Sequence, residues 1–230
     1  MLKKEHSSFA ARLEQLLEGR KPYPWGQALG ISRGSINRML QGEPPGPELL
    51  IPIQRAENVS LSWLLDGQGA PYMVTRCHDD GECAMLLAQW LEEDWACWWL
   101  DSGITRALVL RLPAMMTVKG MPVAYHALEV LSGPLGTLCQ KLLQGRETRR
   151  LHLASNVLEA LDAGQIGAWQ MFGDDGLLHA PPITDDAVWN VDADNPVYQT
   201  GLTREEGKLL EAWRAWPEEK RAALLALLQP

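Results

Sequence analysis

The sequence predicts a mainly α protein: a five-helix N-terminal domain, then a small α+β domain, then a helical hairpin at the C-terminal end. Three observations carry this. Apolar residues recur at a 3.6-residue period in short capped runs over residues 7–66, short β-branched and aromatic runs follow, and a capping box opens a leucine-rich end. The implied boundaries are 1–73, a linker at 74–83, 84–201 and 202–230.

The first helix starts after Ser7 and Ser8, carries Phe9, Leu13, Leu16 and Leu17 on one face, and stops at Gly19. Pro24 suits the first position of a short second helix with Trp25, Ala28 and Leu29 inward, ended by Gly30. Ser32 caps a third helix from Arg33 to about Leu40. Its Ile36, Met39 and Leu40 turn inward, which leaves Arg33, Gly34, Ser35, Asn37 and Arg38 outward. A Pro-Gly loop leads to a fourth helix, 48–57, and Ser60–Leu65 forms a fifth.

The linker reading rests on Arg76-Cys77-His78-Asp79-Asp80-Gly81, which has no apolar period. Ala84–Glu93 then reads as a helix. The runs 95–100, 105–112 and 122–131 predict a small antiparallel sheet, with helices at 135–144 and 155–163, a short strand at 150–153, and irregular chain over 164–201. Thr203-Arg204-Glu205-Glu206 is a capping box and Pro217 starts a last helix, forming a hairpin with more apolar surface than it can hide alone. Leu209, Leu210, Trp213, Leu224, Leu225 and Leu228 are therefore its candidate oligomerisation residues, with packing inside the chain as the alternative.

Composition excludes several classes. In 230 residues, 46% hydrophobic and 22% charged, neither disorder nor a collagen-like repeat fits, and no apolar stretch is long enough to cross a membrane. A cytoplasmic protein is expected, with its four cysteines as thiols. The net charge of −8 argues at first against a polyanionic partner, but the charge is unevenly placed. Residues 1–42 hold seven basic and three acidic groups, whereas the other 188 hold 14 basic and 26 acidic. A cationic head thus precedes a body of net charge −12.

The run Trp25 to Gly42 resembles the helix-turn-helix of the lambda-repressor-like family, which includes phage C repressors and Cro proteins. The likeness rests on Ala28, Leu29, Gly30, Ser32 and Ile36. A second match is Asn58 to Gly69, whose Trp63-Leu64-Leu65 and glycine-rich stop are similar to the last helix of phage-repressor N-terminal domains. The resemblance implies a recognition helix in the major groove of an operator, bound by a dimer or higher oligomer. On it, Arg33, Gly34, Ser35, Asn37 and Arg38 would contact bases, since arginine matches the O6 and N7 of guanine. Arg20, Lys21, Gln27 and Ser32 would contact phosphates. Pro22-Tyr23-Pro24 departs from the family, which more often has a polar cap and a glutamine there.

Other chemistries fit worse. A self-cleaving serine–lysine peptidase needs a cleavage bond, a nucleophile and a base in order, and neither Ala163-Gly164 nor Ser102 with Lys119 supplies them. Cys77, His78, Cys83 and Cys97 do not have the spacing of a zinc finger or ribbon. The acidic pairs form no acid–base constellation, so neither catalysis, nor a cofactor, nor a metal is expected. Ten tryptophans against two phenylalanines remain unusual. The cluster Trp90, Trp95, Trp98 and Trp99 reads as core first, then as a subunit interface or an effector pocket. Two alternatives follow: a regulator responsive to a small-molecule or protein effector, or a protein-interaction module, such as an antitoxin or phage adaptor, that binds no DNA.

Overall fold

A computed structural model of the chain describes residues 8–179 and, further on, residues 212, 213, 216, 217, 220 and 221. Five helices open it: α1 (Phe9–Leu17), α2 (Pro22–Ala28), α3 (Arg33–Leu40), α4 (Pro47–Glu57) and α5 (Leu61–Asp66). Ser8, Ser32 and Ser60 stand before α1, α3 and α5 in extended backbone, and each hydroxyl accepts a hydrogen bond from the amide three residues on. α2 and α4 begin on Pro22 and Pro47, where a missing N–H costs nothing. The second helix therefore starts two residues before the predicted Pro24.

Two arginines lie inside this helical head. Arg12 is buried, and its guanidinium donates to the carbonyls of Leu64 and Leu65, the open acceptors at the end of α5. Arg20 grips the buried Glu57 carboxylate with two N–H groups at 2.8 Å each and also donates to the Leu16 and Leu17 carbonyls. Trp25 Nε1 donates to the same carboxylate at 2.7 Å, so Glu57 joins α4 to the first two helices.

The second part of the fold corrects the mainly α expectation. It contains β1 (Thr75–Arg76), α6 (Asp80–Trp90), β2 (Ala96–Asp101), β3 (Arg106–Val118), β4 (Met121–Gly133), α7 (Thr137–Leu143), β5 (Thr148–His152), α8 (Ser155–Asp162) and α9 (Ala168–Phe172). The strands form one five-stranded sheet in the order β1-β4-β3-β2-β5. It is mixed, not antiparallel: β1 runs parallel to β4 and β5 parallel to β2. Successive residues of its central strands face opposite layers. Cys97, Trp99, Leu108, Leu110 and Leu131 pack under α6 and α7, whereas Trp98, Leu100, Val109, Val130 and Leu151 pack under α8 and α9. A strand covered on both faces is apolar throughout, which is why no alternation marks it. Trp98 and Trp99 are thereby core residues.

The stretch read as a linker is structured. β1 and the first turn of α6 occupy it, and Cys77 and Cys83 are joined in a disulfide where the two converge, their Cα atoms 5.4 Å apart. The expectation of four thiols holds only for Cys97 and Cys139, both buried. Asp80 accepts from the backbone N–H groups of Gly136, Leu138 and Cys139, supplying α7 with the cap its own sequence lacks. Within 164–201, read as irregular, α9 and a 3-10 turn at Leu177–His179 are formed.

β3 and β4 extend well past the sheet. β2 pairs with β3 only as far as Arg111, and the remaining residues form a two-stranded arm that closes at Lys119 and Gly120. Both turn residues have positive φ, 49° and 81°, as a two-residue hairpin loop of matching twist requires. Met116, Val118 and Val123 of this arm are buried in the same core as Leu16, Ile36, Leu49 and Ile53 of the head.

Candidate nucleic-acid interface

α2 and α3 meet through residues without bulk. A side chain at Gly26 would collide with the Cδ1 of the buried Ile36, which packs into the space that the glycine leaves. Gly30 turns the chain at φ +69°, after which Ile31 is buried and Ser32 caps α3. The outer face of α3 then presents Arg33, Gly34, Asn37 and Arg38, all exposed. Gly34 has nothing within 4 Å of where a Cβ would stand, which leaves the backbone of the first turn open to close approach.

Tyr23, on the segment that departs from the family pattern, organises this face. Its ring lies 4.6 Å beneath the Arg33 guanidinium, and its hydroxyl donates to Asn37 Oδ1 at 2.7 Å. Two candidate base readers are thus held by one side chain of the preceding helix. That bond engages the oxygen of Asn37 and leaves its two amide N–H donors open. Tyr23 is absent from the sequence candidates because it lies in the Pro22-Tyr23-Pro24 stretch that departs from the family pattern; an aromatic residue ten positions before an outward arginine was the available signal.

The remaining candidates divide. Lys21, Gln27 and Ser32 are exposed beside α3. Arg20 is not available in the same way: it is locked to Glu57, and its guanidinium also lies 4.9 Å over the Trp169 ring. Ser35 was placed outward, yet it is buried and its hydroxyl lies 3.0 Å from that of Ser32, so the pair completes the helix cap. Leu40, placed inward, is 38% exposed. Arg38 lines a cleft with Ser35, Met39, Glu43, Glu48 and, from the arm, Lys119.

Other sequence candidates are dispersed or lie elsewhere. Ser102 sits in the turn before β3 and Lys119 in the turn after it, so the whole strand separates them. Of the oligomerisation set, Trp213 alone falls among the described residues, with the Arg221 guanidinium 5.6 Å from its ring; Leu209, Leu210, Leu224, Leu225 and Leu228 lie outside them. Among the described residues, no helix is long and apolar enough to cross a membrane.

Comparison with known proteins agrees with the helix-turn-helix geometry. The chain is 39% identical over 66 residues to the HTH-type transcriptional regulator PrtR of Pseudomonas aeruginosa. That match covers 28% of this chain and spans only 26% of the length of the relative. It supports a segment of the kind found in helix-turn-helix regulators. No family model matches the chain, and no solved structure matches it.

Proposed function

We propose that the protein is a sequence-specific DNA-binding transcriptional regulator of the lambda-repressor-like kind, acting as a phage or prophage repressor without a catalytic step. The observation that carries this is the exposed face of α3, on which Tyr23 presents Arg33 and Asn37 beside an open Gly34. In the major groove, Arg33 and Arg38 would each donate two hydrogen bonds to guanine, and Asn37 would use its amide donors on a base or phosphate. Lys21, Gln27 and Ser32 would hold the flanking phosphates. The helix-turn-helix relative, PrtR, and the Trp63-Leu64-Leu65 ending of α5 support the same reading. One recognition helix per chain suits a dimer on a pseudo-palindromic operator, with the leucines of residues 209–228 as the contacts between copies.

Selection of bound sequences from random duplex DNA tests the proposal, because half-site spacing reports symmetry as well as specificity. The chain with both Arg33→Ala and Arg38→Ala is expected to lose at least about 30-fold in affinity for the selected duplex, two base contacts at ~1 kcal/mol or more each, with unaltered thermal stability. Failure to enrich any sequence, or unchanged affinity in the double variant, refutes the reading.

A further inference from the structure

We infer that the tip of the β3–β4 arm is part of the DNA-binding surface, and that Lys119 places an additional cation on a phosphate flanking the recognition helix. The inference rests on the proposed DNA-binding role of α3 and adds a second element to it, one that the helix-turn-helix segment does not contain.

Packing fixes where the tip sits. Met116, Val118 and Val123 are buried against the head, and the turn between α2 and α3 is in direct contact with the arm. A Cβ on Gly30 would stand 3.0 Å from Val123 Cγ2 and 3.3 Å from Val118 Cβ. The four residues between those valines, Lys119 to Pro122, are exposed, and Lys119 borders the same cleft as Arg38 and Ser35 of α3. The arm is thus seated on the recognition unit with its one charged tip residue beside the recognition helix.

Charge points the same way. Residues 102–128 contain no aspartate or glutamate, although acidic groups are 26 of the 188 residues beyond position 42. A segment that approaches a polyanion gains from that absence. Among the described residues Lys119 is held in no ion pair, and its positive φ keeps it at the apex of the turn. Glu43 and Glu48 share the cleft with it, so the competing role is to balance those two carboxylates within the protein.

The two roles separate by salt dependence, since each phosphate neutralised releases counterions. The test uses the full chain and a duplex recovered from random DNA, with Lys119→Asn, which removes the charge while tolerating the left-handed turn, and Lys119→Arg, which keeps it. Lys119→Asn is expected to lower the slope of log affinity against log salt by about one per bound chain, so that it loses roughly threefold less affinity than the parent between about 50 and 200 mM salt. Lys119→Arg is expected to retain the parental slope. A Lys119→Asn slope equal to the parent overturns the inference and leaves the α3 reading intact, as does tighter binding by that variant, which would mark the tip as an obstacle. A parent chain that binds no selected duplex fails both.

Discussion

The helical head and the sheet both hold arginines, and they hold them to different effect. In the sheet and its connections, Arg106 is buried against Asp101 and the Leu135 carbonyl, Arg111 lies over Phe172, and Arg146, before β5, donates to the Leu91 carbonyl. Each cation is tied to a group of its own neighbourhood. The head repeats that pattern for Arg12 and Arg20 but not for α3, where Arg38 has no side-chain bond among the described residues and Arg33 only stacks on Tyr23. A positive residue count therefore overstates what is available for binding. Of the seven basic residues in positions 1–42, the described ones that face solvent are Lys21, Arg33 and Arg38.

Removing an internal partner should produce the largest change. Glu57→Ala strips the carboxylate from Arg20 and Trp25 together, leaving a mostly buried charge without its counter-ion, and is expected to cost about 3–5 kcal/mol in urea unfolding. If the loss is under ~1 kcal/mol, the Arg20–Glu57 pair does not organise the head. Tyr23→Phe acts on the outward set. It keeps the ring under Arg33 and removes the bond to Asn37, so affinity for a selected duplex should fall about three- to fivefold, one hydrogen bond of ~1 kcal/mol, with no more than about the same amount lost in unfolding. Equal binding would mean that Asn37 needs no positioning.

The smallest effect lies in the sheet. Burial raises the carboxyl of Glu129 on β4 above its ordinary value, so the folded chain keeps that proton to higher pH than the unfolded chain does. The stability it contributes is complete below the usual glutamate range and is lost as pH rises through the raised value. Glu129→Gln removes this dependence. Its urea midpoint relative to the parent should therefore rise from pH 4 to pH 7, and a constant difference would contradict the burial argument.

The head was largely legible because its signals are local. Ser8, Ser32 and Ser60 mark helix starts by a bond spanning three residues, and the apolar period names Leu13, Leu16, Ile36, Met39 and Ile53 as core. Ser35 and Leu40 were interchanged, since they flank the same buried arc and only the hydroxyl of Ser32 decides which flank turns in. The sheet was legible in its antiparallel centre and in the short strand predicted at 150–153, which the structure forms as β5 two residues earlier. The two-residue β1 and the parallel pairing of both edge strands carry no local pattern and were not read. The predicted strands end at 112 and begin at 122, whereas β3 runs on through Pro113 to Val118 and β4 begins before Pro122; both prolines lie on the arm, where each strand has an open edge that a missing N–H does not harm. The disulfide and the Asp80 cap join residues through the fold and have no spacing rule to announce them.

The arm also works as a ruler. Leu112–Val118 continues for seven residues beyond the last pairing with β2, about 23 Å at ~3.3 Å per residue. Because the closing loop has two residues and the opposite strand is matched one to one, its length can change only by paired insertions, one in each strand. A single step on both strands would turn Val118 and Val123 away from Gly30 and present their neighbours instead. The offset between sheet and recognition helix is therefore quantised in two-residue increments, so related chains that vary this distance should do so by whole pleats.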